Sequence, residues 1–107
     1  MDARRLDDLF AALGDPGRRS LVETVAARGD ATATELAADL PVTRQAVAKQ
    51  LTALADAGLL RATRTGRETR YKVTPGPLED AVAWMVAVGA RWDERLAALG
   101  RSLERRR

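Results

Sequence analysis

The spacing of apolar positions along the chain predicts five helices and one pair of strands. Apolar side chains that recur every three or four residues line one face of a helix, whereas alternation with polar residues is typical of a strand. The stretch 60–73 alternates on both sides of a turn at Gly66, which predicts a β-hairpin. The predicted helices cover 3–13, 16–28, 33–40, 44–57 and 77–104.

Polar residues that cap helices stand where the predicted helices begin. Asp15 precedes Pro16, and an Asp at the N-cap followed by Pro in the first turn is a strong start signal. Thr32 and Glu35 have the spacing of a capping box, in which each side chain bonds a backbone N–H of the other residue. Thr43 is the predicted cap of the fourth helix. Helix ends are predicted at Gly14, Gly29 and Gly58.

The third and fourth predicted helices form a characteristic pair. A short helix joined by a few residues to a longer one is the helix-turn-helix pattern, which here covers 32–57. The predicted fold class is therefore mainly α with a small two-stranded β-hairpin. A chain of 107 residues has the length of one ordinary domain, so we expect a single domain over 1–107.

The last predicted helix carries a regular apolar seam. Its members are spaced alternately by four and three residues, as in a coiled coil, and are Leu78, Val82, Met85, Gly89, Trp92, Leu96, Leu99 and Leu103. A domain of this size cannot cover so long a seam, so we expect a dimer interface formed by the helical segments 1–13 and 77–104. The first segment would contribute Leu6, Leu9 and Leu13.

Two alternatives concern this seam. It could pack only against the first helix of its own chain, without a partner. Trp84, Met85 and Trp92 are expected to be core residues, although they could also line an effector pocket at the dimer interface.

The fourth predicted helix has two different faces. At about 100° per residue, Val47, Leu51 and Leu54 fall on one side, which must be buried. The opposite side holds Gln45, Lys49, Thr52 and, at the far end, Asp56. The outward side is therefore polar and has no acid before Asp56, which favours contact with DNA over an ordinary solvent-exposed face.

The side chains of that outward face suit base edges and phosphates. Gln45 can pair with adenine, Lys49 can bind guanine or phosphate, and Thr52 can meet a phosphate or a thymine methyl. Thr43 and Arg44 stand at the helix N-terminus, where free N–H groups and the helix dipole favour a phosphate. Ala48 is small enough to allow close approach to bases.

Positive charge is concentrated in the middle of the chain. Residues 43–72 contain seven basic and two acidic residues, a net charge of +5, whereas the whole chain carries +3. A basic segment is the footprint expected of nucleic-acid contact; a solvated helix face with a charged hairpin is the other explanation. The excess of Arg over Lys, 16 to 2, is mostly attributable to a GC-rich genome.

The chain contains no Cys and no His. This composition removes disulfides, thiol nucleophiles, the commonest metal ligands and the commonest general base. Glu79 and Asp80 are adjacent, so on a helix they point about 100° apart and do not converge. We therefore expect no enzyme activity, no cofactor and no metal effector.

The sequence also predicts where the protein works. It has no run of 18 apolar residues that could span a membrane. The N-terminal Met1–Arg5 segment is not followed by the apolar region of a signal peptide. We expect a cytoplasmic protein without a membrane partner.

Several motifs, taken in order, resemble the ArsR/SmtB family of bacterial winged-helix repressors. The resemblance covers residues 5–104, and the order and spacing of the motifs make it specific. The motifs are Gly14-Asp15-Pro16 with Arg18-Arg19, Glu35-Leu36-Ala37, the run from Thr43 to Leu51, the run from Leu54 to Leu60, and the run from Gly66 to Tyr71.

This resemblance implies a winged helix-turn-helix protein that forms a homodimer through its first and last helices. It implies a transcriptional repressor whose fourth helix reads the major groove of a palindromic operator, with the hairpin 60–73 as the wing. Carried over by position, the recognition-helix contacts are Thr43, Arg44, Gln45, Ala48 and Lys49, and the wing contacts are Arg64, Arg67 and Arg70.

The chain departs from the family pattern at several positions. Metal-sensing members usually have Cys residues where Ala37, Ala38 and Asp39 stand, and no His joins Glu79 and Asp80 in the last helix. The resemblance therefore does not extend to metal sensing. Ala48 and Gln50 replace the common Ser and His of the recognition helix, and Gly17 replaces the usual Thr.

An alternative function keeps the same fold without DNA. The chain would then be a protein-interaction module that uses the dimer seam and an exposed surface near Trp84 and Trp92. The net charge of +5 in 43–72 argues against this alternative.

Overall fold

The structure is a computed structural model that describes residues 3–105; the predicted domain 1–107 and dimerisation segment 1–13 extend beyond it at residues 1, 2, 106 and 107. Within the described part, five helices and three strands follow one another. They are α1 (Ala3–Leu13), α2 (Pro16–Arg28), β1 (Ala31–Thr32), α3 (Ala33–Ala38), α4 (Arg44–Asp56), β2 (Leu60–Thr65), β3 (Glu68–Val73) and α5 (Pro75–Arg105). The predicted mainly α fold is confirmed.

Three helices begin at the predicted capping residues. The Asp15 carboxylate accepts a hydrogen bond from the N–H of Gly17 at 2.8 Å. The Thr32 hydroxyl accepts from the N–H of Glu35, and the Thr43 hydroxyl accepts from the N–H of Ala46, both at 3.1 Å. Each bond satisfies a backbone donor that the first helical turn leaves without a partner.

Helix α5 begins two residues earlier than predicted, at Pro75 instead of residue 77. The first turn of a helix has N–H groups without intrahelical partners, so a proline there removes no hydrogen bond. Both Pro75 and Pro77 are therefore accommodated inside the helix.

The end of α4 turns the chain into the sheet. Gly58 adopts a φ of +85°, in the left-handed region that glycine enters without steric cost. The N–H of Leu59 then bonds the carbonyl of Leu54 at 3.0 Å, which closes the helix end. This turn buries Leu59 and Leu60 beneath the sheet.

The predicted two-stranded hairpin is present as β2 and β3, and a third strand, β1, that the sequence did not predict joins it in the described residues. The antiparallel order is β1-β3-β2, with Ala31 opposite Tyr71 and Thr32 opposite Arg70. Strand β1 is only two residues long, which is too short to produce an alternating pattern in the sequence. It ties the hairpin to the start of α3.

The hydrophobic core lies between α1–α4 and the base of the sheet. Its fully buried members include Leu9, Val25, Leu36, Leu51 and Leu59. Only Ala81 of α5 is buried in this core, and Leu78 packs against its edge. The described chain measures 71 × 28 × 21 Å because most of α5 projects beyond the core.

The residues predicted for the dimer interface divide into three groups. Leu9 was predicted to face a partner, and this is wrong because its side chain is completely buried in its own chain. Leu6, Leu13 and Leu78 are partly buried and pack against the same core. The remaining predicted positions lie on exposed turns of α5, and are Val82, Met85, Gly89, Trp92, Leu96 and Leu99.

Trp84, Met85 and Trp92 of α5 were expected to be core residues, and in the single chain they are not. Trp84, Met85 and Trp92 are all about half exposed or more, at 48%, 50% and 60%. Trp84 contacts Phe10 of α1 edge-to-face, with ring centroids 5.4 Å apart. The α1–α5 contact therefore covers one flank of α5 and leaves the seam open.

Candidate nucleic-acid interface

Helix α4, called the recognition helix below, has the two faces that its sequence predicts. Val47, Leu51 and Leu54 are at most 1% exposed and hold the helix against the core. Gln45, Lys49, Thr52 and Asp56 are exposed on the other side, while Ala48 is half-buried between the faces. The polar side chains are thus presented outward by a helix whose position is fixed by packing.

Hydrogen bonds already engage part of this face. The Thr43 hydroxyl accepts from the N–H of Ala46 as the helix cap, and the Thr52 hydroxyl donates to the carbonyl of Ala48 at 3.0 Å. The Nε of Arg44 donates to the Thr34 hydroxyl at 2.8 Å, which braces Arg44 against α3. Gln45 and Lys49 therefore carry the side chains most available for base edges.

The wing presents two exposed arginines near its tip. Gly66 adopts a φ of +62°, and the turn places Thr65 opposite Glu68. The Nε of Arg64 donates to the carbonyl of Gly66 at 3.1 Å, so this side chain folds over the turn. Arg67 is exposed at the turn itself. Both guanidinium groups remain at the outer end of the hairpin.

Arg70 was predicted to contact DNA with the wing, and the structure places it elsewhere. Its guanidinium lies 2.8 Å from Asp30, 3.0 Å from Glu35 and 3.2 Å from Glu68, and its side chain is 28% exposed. The group is held by three carboxylates at the base of the wing. These three ion pairs direct the guanidinium toward carboxylates of its own chain instead of toward a DNA phosphate.

The contact between Arg70 and Glu35 explains why the predicted capping box at the start of α3 is incomplete. Glu35 was expected to reach back to its cap residue, but its carboxylate pairs with Arg70 instead. A hydrogen bond from Arg70 holds the pKa of Asp30 below its ordinary value, and in return the pKa of Arg70 is raised. The spacing of Glu68 and Arg70 on one face of a strand is the single local sequence signal for this cluster.

A polar cleft of about 400 Å³ separates the wing from the helix-turn-helix. Arg44 and Ala48 line it from the recognition helix, Thr34 from α3, and Arg64 and Arg67 from the wing. These five residues are far apart in sequence, and the fold brings them together around one cleft. All of them except Thr34 were predicted DNA contacts. Glu35 and Glu68 also line the cleft, so three guanidinium groups against two carboxylates leave a positive balance that suits a backbone phosphate.

Two polar contacts that the sequence did not reveal fix the recognition helix and its turn. The Nε of Arg18 on α2 donates to the side-chain oxygen of Gln50 on α4 at 2.9 Å. Arg28 forms an ion pair with Asp39 at the end of α3. The residues of each pair are 32 and 11 positions apart, so no short-range pattern signals them.

Two kinds of feature are absent from residues 3–105. In this part of the chain, no group of three or more Cys, His, Asp and Glu side chains is placed to hold a metal ion. No helix in the same range combines the length and apolar character needed to cross a membrane.

Taken together, a capped recognition helix with a polar outer face, a preceding short helix and a hairpin with basic residues at its tip define a winged helix-turn-helix DNA-binding protein. A family profile described as a helix-turn-helix domain matches residues 13–62. The chain is 42% identical to the uncharacterized HTH-type transcriptional regulator YuzN of Bacillus subtilis, over 57% of this chain and 73% of that protein.

A second relative and a solved structure extend the similarity. The transcriptional repressor SdpR of Bacillus subtilis is 26% identical, over 76% of this chain and 89% of its own. The ArsR-like transcriptional regulator from Rhodococcus sp. RHA1 is 40% identical, with a TM-score of 0.86 over 94% of this chain and 92% of that one. The chain belongs to the ArsR family of helix-turn-helix transcriptional regulators. Family members of this type are not enzymes, as the composition had indicated.

Proposed function

We propose that the protein is a homodimeric repressor that binds a palindromic operator through its recognition helix and its wing. The observation that carries the proposal is the exposed face of α4, which presents Gln45 and Lys49 beside an arginine-lined cleft. The relative SdpR is named a transcriptional repressor, which supports the direction of regulation.

The side chains divide into base-reading and phosphate-binding groups. Gln45 and Lys49 read base edges in the major groove, because their amide and ammonium groups match adenine and guanine. Arg44, Arg64 and Arg67 bind the backbone phosphate that passes through the cleft. Ala48 allows close approach, Thr43 presents the helix N-terminus to a phosphate, and Thr52 offers its methyl group to thymine.

The second copy binds along the seam of α5. Val82, Met85, Trp92, Leu96 and Leu99 are between 49% and 60% exposed in one chain, which is a large apolar surface for a protein of this size. Gly89 lies between them, and a Cβ at that position would meet nothing within 4 Å in its own chain. A two-fold dimer of this kind presents two recognition helices to half-sites about one helical turn of DNA apart.

The decisive experiment selects an operator from genomic DNA with the purified dimer and then measures affinity by fluorescence anisotropy. The logarithm of the binding constant should fall linearly with the logarithm of salt concentration, by about 0.9 per phosphate neutralised. A flat salt response with no enriched sequence would contradict the proposal and favour the protein-interaction alternative.

The variant Gln45→Ala tests the recognition helix. It should weaken operator binding by about 1–3 kcal/mol and relax the preferred base at one position of each half-site. Affinity for random-sequence duplex, which serves as the internal control, should change little. An unchanged preferred operator would show that Gln45 does not read bases.

A further inference from the structure

A second cavity, of about 190 Å³, lies at the inner side of the recognition helix. Its walls come from three elements: Gly17, Ser20 and Leu21 of α2, the turn 40–42, and Ala46 and Gln50 of α4. Helix α5 contributes no lining residue, so the cavity is separate from the dimer seam. It is also separate from the polar cleft beside the wing, with which it shares no residue.

The lining of this cavity is mostly apolar and contains no charged side chain. Leu21 and Val47 form its floor, and Leu40 and Val42 stand at its mouth with 36% and 49% of their surfaces exposed. The cavity is open to solvent on one side, and its volume is close to that of a closed apolar cavity of about 150 Å³ that can hold benzene. The volume here therefore fits a molecule with one ring and a small substituent. A charged ligand would lose its hydration without finding a counter-ion.

Ser20 and Gln50 are the two polar side chains of the lining, and Gln50 gives the ligand an orientation. The Nε of Arg18 can only donate a hydrogen bond, so the Gln50 atom that it meets at 2.9 Å is the amide oxygen. The amide NH₂ of Gln50 is therefore left as a donor beside the cavity. A neutral ligand with a carbonyl or hydroxyl oxygen can accept from it.

We propose that this cavity is the effector site of the repressor, and that its ligand is a small neutral aromatic molecule with one hydrogen-bond acceptor. The regulatory part rests on the proposed function. Ala46, Val47 and Gln50 form one wall, and the same helix carries Gln45 and Lys49 on its outer face. A ligand that accepts from Gln50 and wedges α2 from α4 loosens the Arg18–Gln50 tie and displaces the recognition helix. Ligand and operator therefore oppose each other's binding.

The first measurement tests the cavity without DNA. Acetophenone, which is neutral and has a carbonyl acceptor, is titrated into protein with ¹³C-labelled Leu and Val methyl groups. Saturable shifts should appear at Val42 and Val47, while benzoate, of similar size but charged, should produce none. Absence of saturable shifts at these two residues up to the solubility limit of acetophenone overturns the proposal.

Two matched substitutions locate the bound probe. Ala46→Leu fills the cavity from the recognition helix and should abolish the shift of Val42. Ala26→Leu adds the same group to an exposed position of α2 outside the cavity and should leave the shift intact. If Ala46→Leu fails to fold, Val42→Phe closes the mouth from the turn and replaces it, with the shift of Val47 as its readout. A shift that persists in the filled variant places the probe elsewhere and overturns the proposal.

The second measurement adds the selected operator. Saturating acetophenone should weaken operator binding by about fivefold or more in the wild type and in Ala26→Leu, within the usual range of allosteric coupling, and should have no effect in Ala46→Leu. Binding of the probe without any change in operator affinity overturns the effector role. If the wild-type protein bound no operator even without the probe, the proposed function would be contradicted. The cavity itself is tested separately, because the methyl shifts are measured without DNA.

Discussion

The helix-turn-helix with its wing and the last helix use apolar residues in opposite ways. Between α3 and β3 the large apolar side chains Leu36, Leu51 and Leu54 are buried, and charged groups lie outside. In α5, a helix of 31 residues, only Ala81 is buried while the seam is exposed. One region is completed by its own chain, whereas the other leaves its apolar seam exposed. In the proposed dimer, a second copy covers that seam.

The largest expected effect is in the core beneath the recognition helix. Leu51→Ala removes a completely buried side chain and should lower the free energy of unfolding by about 2–5 kcal/mol, measured by urea denaturation. Leu40→Ala, at a position 36% exposed, is the matched control and should cost less than about 1 kcal/mol. Equal losses for the two variants would mean that the two regions do not differ as described.

A charge introduced into the seam of α5 should weaken dimer association without lowering the stability of the fold. Leu96→Glu places a carboxylate from each copy against the partner, and should raise the dimer dissociation constant by about a hundredfold, or nearly 3 kcal/mol. Ala98→Glu adds the same charge on the outer side of α5 and is the control. Sedimentation velocity over a range of concentrations measures both. If the two variants associate equally well, the seam is not the interface.

Within the wing, two arginines should behave differently. Arg67→Ala should weaken binding to all sequences and lower the slope of the salt dependence by about 0.9, because one phosphate contact is lost. Arg70→Ala should leave that slope nearly unchanged but lower the midpoint of thermal unfolding, because Asp30, Glu35 and Glu68 lose their common partner. Anisotropy at several salt concentrations and thermal melts separate these outcomes. A reduced slope of the salt dependence for Arg70→Ala would show that Arg70 does contact DNA.

The smallest effect concerns pH. The pKa of Asp30 in the folded chain is lowered by its hydrogen bond with Arg70, so the contribution of this pair is complete above the ordinary Asp pKa of about 3.9. It is lost as pH falls further, through the lower folded pKa. The stability difference between wild type and Asp30→Asn should therefore shrink below about pH 4. In an Arg70→Ala background the difference should be small at every pH, and a difference of undiminished size there would point to another partner.

Local signals in the sequence predicted helix starts better than they predicted long-range partners. Asp15, Thr32 and Thr43 cap their own first turns, and capping involves only the next two or three residues. The buried and exposed faces of α4 followed from helical periodicity in the same way. Alternation predicted the hairpin, and the family resemblance implied its role as a wing. Neither predicted the third strand, whose two residues carry no periodic pattern.

The incorrect predictions have a common physical origin. Arg70 meets Asp30 and Glu35, which are 40 and 35 positions away, because β1 pairs with β3. Leu9 was assigned to the dimer because periodicity shows which face of a helix is apolar but not which molecule covers it. Both errors concern contacts that only the assembled tertiary structure determines.

The seven-residue repeat of α5 also bears on how far apart the two recognition helices stand. In a dimer formed along this seam, a slip of one partner by a heptad would move it about 10 Å, the length of about three base pairs of DNA. Gly89 interrupts the row of large side chains once, so only one alignment matches the gap in one copy to the gap in the other. In the proposed dimer, Gly89 therefore fixes how the two α5 helices align. That alignment sets the distance between the recognition helices, and with it the operator spacing that the protein accepts.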